Sequence, residues 1–201
     1  EENTEWRCPE VIVNWGCNAV VSNSDNFFGH WIVDCMQRGA KMITVDPALT
    51  WLAARSEVWL RVRPGTDAAL AMAMIHVIAE EDLYDHDFVE KWCYGFDELV
   101  ERCKEWTPEK AGEVCWIEPE KIVEAARLYA NAKPAAIQWG LKVDQTTNAT
   151  ATANAINALW SITGNVDVPG GNIIIRNAYQ QNLSYGYSYR DLTPEVQPKR
   201  L

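Results

Sequence analysis

VDPALTWLAARSEVWLRVRPGTDAALAMAMIHVIAEEDLY, residues 45–84, contains the ends of two strands and the helix that follows the second. One apolar strand, Lys41 to Val45, closes on Asp46-Pro47. A second, Val58 to Val62, runs into Arg63-Pro64-Gly65-Thr66-Asp67, and a long apolar helix, Asp67 to Glu80, starts at once. Two acid-bearing loops therefore sit at the carboxyl ends of neighbouring strands, where open α/β sheets bind nucleotides.

The same alternation extends outward. Val11 to Trp15 reads as a buried strand closed by Gly16-Cys17-Asn18, and Asp25 to Arg38 has apolar residues at helical spacing with Gly39 as a stop. Ala48 to Arg55 reads as one or two helical turns. Strand–helix–strand order at this spacing implies parallel pairing and right-handed crossovers. The fold class is α/β: a Rossmann-like parallel sheet flanked by helices, with a helical insertion over about residues 85–132. Within it, Phe88 to Cys93, Phe96 to Trp106, Pro108 to Cys115 and Pro119 to Ala132 read as helices, two of them opened by proline. The sheet resumes at Ala135 to Trp139, and an Ala-rich helix, Asn148 to Thr163, follows. Residues 1–175 are read as the α/β domain and 176–201 as an extended polar, aromatic tail that packs on other parts of a larger protein.

The chain has 201 residues, 48% of them hydrophobic, and a formal net charge of -10, which argues against a nucleic-acid or anionic-membrane partner. It holds ten Trp, read mostly as core packing, and six Cys (Cys8, Cys17, Cys35, Cys93, Cys103 and Cys115), read as buried free thiols. No CxxC pair occurs, and no apolar run is long enough to span a bilayer. His30, His76 and His86 have no metal-ligand partner at a suitable spacing. GxGxxG, GxxxxGK[ST], GxSxG and HExxH are all missing.

Four stretches can carry chemistry. In Trp15-Gly16-Cys17-Asn18, a glycine after a strand permits close approach of a ligand, and the following amides and Asn side chain can donate to phosphate or ribose oxygens; the alternative is an ordinary strand-to-helix turn. Asp46-Pro47 stands where a carboxylate accepts from ribose hydroxyls, or caps the turn after it. In Gly65-Thr66-Asp67, Thr66 can cap the helix, and Asp67 at the helix start matches the paired N–H donors of guanine. In Gln138 to Gln145, Lys142 can meet a phosphate and Gln145 can hydrogen-bond a ligand such as guanosine; a solvated loop is the alternative.

In this order, WGCNA, VDPA, RPGTDAAL, EEDLYDHDFVEKWCYGFDEL, WGLKVDQ with Asn148, and SITGNVDVPGGN resemble the guanine-dinucleotide-binding domain of the molybdopterin oxidoreductases of the dimethyl sulfoxide reductase superfamily. Ala19 replaces the family's Pro, Ala48 its Arg, and Lys142 a frequent Gly. The resemblance implies a bis-(molybdopterin guanine dinucleotide) cofactor with molybdenum or tungsten. Trp15, Gly16, Cys17, Asn18, Asp46, Pro47, Gly65, Thr66 and Asp67 would then line one guanosine diphosphate arm, and Gln145 would approach the pterin. It also implies a larger catalytic subunit for two-electron redox, oxygen-atom or hydroxyl transfer on a small molecule. The metal's protein ligand and an iron–sulfur cluster would lie outside this chain, so the chain alone would be inactive. Its partners would be the remaining domains of that subunit and, where the family supplies one, an iron–sulfur electron-transfer subunit, with any export signal upstream. Two rivals are a central domain like that of thiamine-diphosphate enzymes, binding an adenine nucleotide, and a non-catalytic scaffold domain. Metal analysis of the purified chain is expected to find no iron–sulfur cluster; stoichiometric iron and sulfide would contradict this.

Overall fold

A computed structural model describes residues 7–22 and 27–173. The tail expected at residues 176–201 and the first residues of the helix expected from Asp25 lie outside these. Among the described residues, four strands form one sheet: β1 (Val11–Trp15), β2 (Lys41–Val45), β3 (Val58–Leu60) and β4 (Ala135–Trp139). The order is β3-β2-β1-β4, and every pair is parallel. In register, Trp15 lies beside Val45 on one side and Trp139 on the other. The chain steps outward from β1 to β3, then crosses back to lay β4 on the other flank of β1. The switch point thus falls between β1 and β4, at the Gly16 and Gly140 loops.

Alternation along the strands gives the sheet two unequal faces. Val11, Val13, Trp15, Ile43, Val45, Val58, Leu60, Ala135 and Ile137 enter the larger core. Ile12 and Met42 face a smaller one, under α1 (Ala19–Ser22) and α2 (Phe27–Gln37). The larger core is roofed by α3 (Asp67–Glu80), whose Leu70, Ala71, Ala73, Met74, Ile75 and Ile78 are fully buried. A helix apolar on nearly all sides needs cover on all sides. The cover comes from α5 (Phe96–Cys103), α6 (Pro108–Cys115), α7 (Pro119–Ala130) and α9 (Ala149–Ile162), with α7 also packing on β1 and β3. The helices after α3 are therefore the layer that buries it, and α7 makes the crossover to β4.

Most element limits match the reading to within a few residues; β1, β2, α3, α6 and β4 match it in full. Differences are local. The turns expected over Ala48 to Arg55 reduce to a single 3-10 turn, Ala53–Arg55, and β3 ends at Leu60 rather than Val62. Two one-turn helices, α1 and α8 (Leu141–Asp144), stand where loops were expected; four residues are too few for periodicity to register. The tryptophans are less buried than expected: Trp15 is fully enclosed, while Trp51, Trp92 and Trp116 are exposed. All six cysteines are free; Cys17, Cys35, Cys103 and Cys115 are buried, and Cys8 and Cys93 partly so. Burial pushes the Cys103 thiol up to about 12.

Asp85 joins three elements. It caps α4 (His86–Trp92) by accepting from the Phe88 amide at 3.0 Å, accepts from Lys133 Nζ at 3.0 Å, and its own amide donates to Ile162 O at 2.8 Å. Burial works to raise its carboxyl pKa, but the Phe88 amide and the Lys133 ammonium outweigh it and hold the group below its ordinary value. A depressed folded pKa gives stability that is present above the unfolded value, about 4, and lost as pH falls through the folded one. Asp85→Ala is expected to cost about 1 kcal/mol, a fall of roughly 3 °C in Tm at pH 7, and to narrow as the pH drops below about 4. Melting curves at pH 7 and pH 3 check both parts.

Candidate functional site

At the carboxyl end of the sheet three loops converge, after β1, β3 and β4, with the β2 loop alongside. The central contact is a hydrogen bond from Trp15 Nε1 to Asp67 Oδ1, 2.8 Å. Trp15 is wholly buried at the end of β1, and Asp67 is the first residue of α3, so the bond pins the helix start to the middle of the sheet. Each carboxylate oxygen has two lone pairs, so the bond orients Asp67 without exhausting it.

Gly65, two residues earlier, has φ +86°, and nothing lies within 4 Å of where a Cβ would stand. Its positive φ needs glycine, and the loop beside it is open. Thr66 does not cap α3 as expected: its hydroxyl donates backwards to Arg63 O at 2.7 Å, tightening the Arg63–Thr66 turn. With no side-chain cap, the first amides of α3 remain available, and the helix dipole adds to their attraction for an anion.

Gly16 differs. At φ +58°, it would place a Cβ 3.4 Å from Lys142 Cβ and 3.6 Å from Val143 Cγ2, because α8 lies over it. Gly140 would place one 2.6 Å from Gly16 O and 2.9 Å from Cys17 Cα. Gly140 thus lets the β4 loop press against the β1 loop, while Gly16 is required by its positive φ and meets α8 in ordinary contact. Cys17 is buried; its carbonyl accepts from Asn14 Nδ2, and burial raises its thiol pKa against the lowering effect of a bond with Gln138. Asp46 is also buried. Its Oδ1 accepts from the Ala48 amide at 2.8 Å and its carbonyl from Trp59 Nε1 at 2.8 Å, so in this structure it closes the turn through Pro47. Gln145 and Lys142 are exposed on and just after α8.

Two side-chain oxygens around this site are cut off from water and bonded to nothing in the protein: Asn18 Oδ1 on the β1 loop and Asn148 Oδ1 before α9. Asn148 Nδ2 donates to Gly65 O at 3.3 Å, which brings α9 against the β3 loop. The Asn14 Oδ1 and Thr152 Oγ1 atoms are likewise buried and unpartnered. Buried acceptors without donors are costly, and a ligand that donates would satisfy them. Ribose hydroxyls and the ring N–H and amino groups of guanine donate; phosphate oxygens do not.

The structure brings Trp15, Gly65, Thr66 and Asp67 to one place, with Asn148 against Gly65, and leaves Asn18, Asp46, Pro47 and Gln145 on the neighbouring strand-end loops. Asn148 does not stand out in the sequence as a site residue; its only signal is a position directly before an Ala-rich helix. Among the described residues, no three His, Cys, Asp or Glu side chains converge as a metal site, and no helix is long and apolar enough to cross a membrane.

Residues 3–191 match the profile of the molybdopterin oxidoreductases. Among curated proteins, the acetylene hydratase of Syntrophotalea acetylenica is 40% identical over 69% of this chain and 19% of its own length. The alpha subunit of the F420-dependent formate dehydrogenase of Methanocaldococcus jannaschii is 38% identical over 71% and 21%. Formate dehydrogenase H of Escherichia coli is 33% identical over 82% and 23%. The chain therefore spans about a fifth of the length of these relatives. The solved acetylene hydratase from Pelobacter acetylenicus superposes with a TM-score of 0.74 at 36% identity, covering 78% of this chain and 21% of that one.

In a double-mutant cycle of Trp15→Phe with Asp67→Ala, urea unfolding is expected to give a coupling of about 1 kcal/mol. Additive losses would show that the bond does not hold the helix start.

Proposed function

The chain belongs to the molybdopterin oxidoreductase family, and we propose that it holds a guanosine diphosphate arm of a bis-(molybdopterin guanine dinucleotide) cofactor carrying molybdenum or tungsten. The observation that carries this is the Trp15–Asp67 bond, which aims a carboxylate beside the open Gly65 loop, with the unpartnered Asn148 Oδ1 next to that loop. In this reading Asp67 accepts from the guanine N–H groups, Asn18 and Asn148 accept from ribose or base, and Gly65 leaves room for the sugar. The uncapped amides of α3 receive a phosphate oxygen. Asp46 and Pro47 form the adjoining wall, Gly16 and Cys17 hold the β1 loop in shape, and Gln145 stands towards the pterin side.

When bound, the cofactor's metal supplies two-electron chemistry, and this chain supplies orientation and fixed dipoles. The whole protein, in this proposal, is a catalytic subunit acting on a small molecule by redox, oxygen-atom or hydroxyl transfer. Its partners are its own remaining domains and an iron–sulfur electron-transfer subunit. Hydration is a further chemistry open to it, since a relative of 40% identity is named an acetylene hydratase. An adenine site of the thiamine-diphosphate type fits less well, because a carboxylate offers adenine's ring acceptors no donor.

Calorimetric titration with GDP against ADP tests the reading. GDP is expected to bind weakly but selectively, and Asp67→Asn to weaken it about tenfold, the worth of one charge-assisted hydrogen bond. Equal affinity for the two nucleotides, or an unaffected variant, would remove Asp67 from its assigned role.

A further inference from the structure

Trp116 breaks two habits at once. It stands just past the end of α6 with φ 61° and ψ 38°, the left-handed conformation that helix ends normally give to glycine. Its indole is also 70% exposed, although a large apolar ring gains from burial. A strained backbone carrying an exposed aromatic needs a reason outside the packing of α6.

Its surroundings supply one. The Arg63 guanidinium lies 4.8 Å from the ring centroid, stacked on the indole, and Arg63 opens the Arg63–Asp67 loop. Two bonds staple the turn to that loop: the Arg63 amide donates to Cys115 O at 2.9 Å, and Cys115 Sγ donates to Thr66 O at 3.4 Å. The turn itself is rigid. The Trp116 and Ile117 amides both donate to Gly112 O, and Ile117 is buried. A fixed, flat π surface with a cation stacked on it thus stands beside the open glycine of the loop that carries Asp67.

We propose that Trp116, backed by Arg63, is the platform on which the purine base stacks. This rests on the nucleotide reading above and adds a residue to it. Asp67 would read the hydrogen-bonding edge of the base and Trp116 would hold its face. Stacking on an aromatic side chain is tolerant of base identity, so Trp116 contributes affinity and Asp67 contributes the choice of guanine.

The test uses the full chain titrated with GDP and followed by calorimetry and by indole fluorescence. Trp116→Gly relieves the left-handed strain, so its Tm is expected to equal or exceed that of the parent. Its GDP affinity is expected to fall about fivefold to tenfold, the low end for a base on an exposed ring. Trp116→Tyr is expected to keep affinity within about twofold, since tyrosine also stacks, while losing part of the fluorescence quenching that GDP causes in the parent. IDP lacks the amino group but keeps the ring system, so Trp116→Gly should weaken GDP and IDP alike, whereas Asp67→Asn should weaken GDP more. If Trp116→Gly binds GDP as the parent does while Asp67→Asn does not, the platform is wrong and the nucleotide reading stands. If the parent binds no GDP, the nucleotide reading fails and the platform fails with it.

Discussion

The bond between Trp15 and Asp67 is the constraint around which the site is arranged. It joins the last residue of the central strand to the first residue of the helix that fills the main core. A strand end and a helix start from distant parts of the chain are thereby held in one register. Without it, Asp67 would be a charge on a mobile helix end; with it, the carboxylate has a fixed direction. The indole N–H is itself satisfied in the exchange, as a buried donor must be. Packing and site geometry are one arrangement here, because Trp15 is both a core residue and the donor that aims the acid.

The two faces of the sheet divide the work. The larger core, under α3, α7 and α9, is thick and almost wholly apolar, and supplies rigidity behind the β3 loop. The smaller face carries the polar residues near the strand ends, Asn14, Thr44 and Gln138, with the Cys17 thiol among them. The Asn14 amide holds the Cys17 carbonyl, and the Thr44 and Ser56 hydroxyls bond to each other at 2.7 Å. The chain thus tolerates polarity on the face nearer the β1 loop and excludes it from the face that must stay dense.

Much of this could be read in the sequence, for physical reasons. Strand and helix alternation, proline at helix starts and the run from Arg63 to Leu70 are local signals, and they located the four strands and the long helices of the described residues. The acidic loop ends followed from the position of the strands. What could not be read was relational. Nothing in WGCNA says that Gly16 meets the α8 turn, since that contact spans the distance from β1 to β4. Thr66 had the right residue type for a cap, but its hydroxyl found Arg63 O first. Asp46 fits a ribose contact and a turn closure equally well by type, and only coordinates place the Ala48 amide on its Oδ1. Trp116 was one of ten tryptophans, and its left-handed backbone has no signature in composition.

The close approach of Gly140 to Gly16 and Cys17 also bears on how such a chain can vary by descent. A side chain at position 140 would strike the backbone of the β1 loop, which no rotamer change relieves, so that loop would have to retreat. Trp15 is next to it, and Asp67 would be dragged along. Position 140 is therefore coupled to a stretch lying more than a hundred residues before it. Drift at one without the other would be purged for stability and for site shape at the same time. Two short glycine turns, more than a hundred residues apart in the chain, behave as a single structural unit.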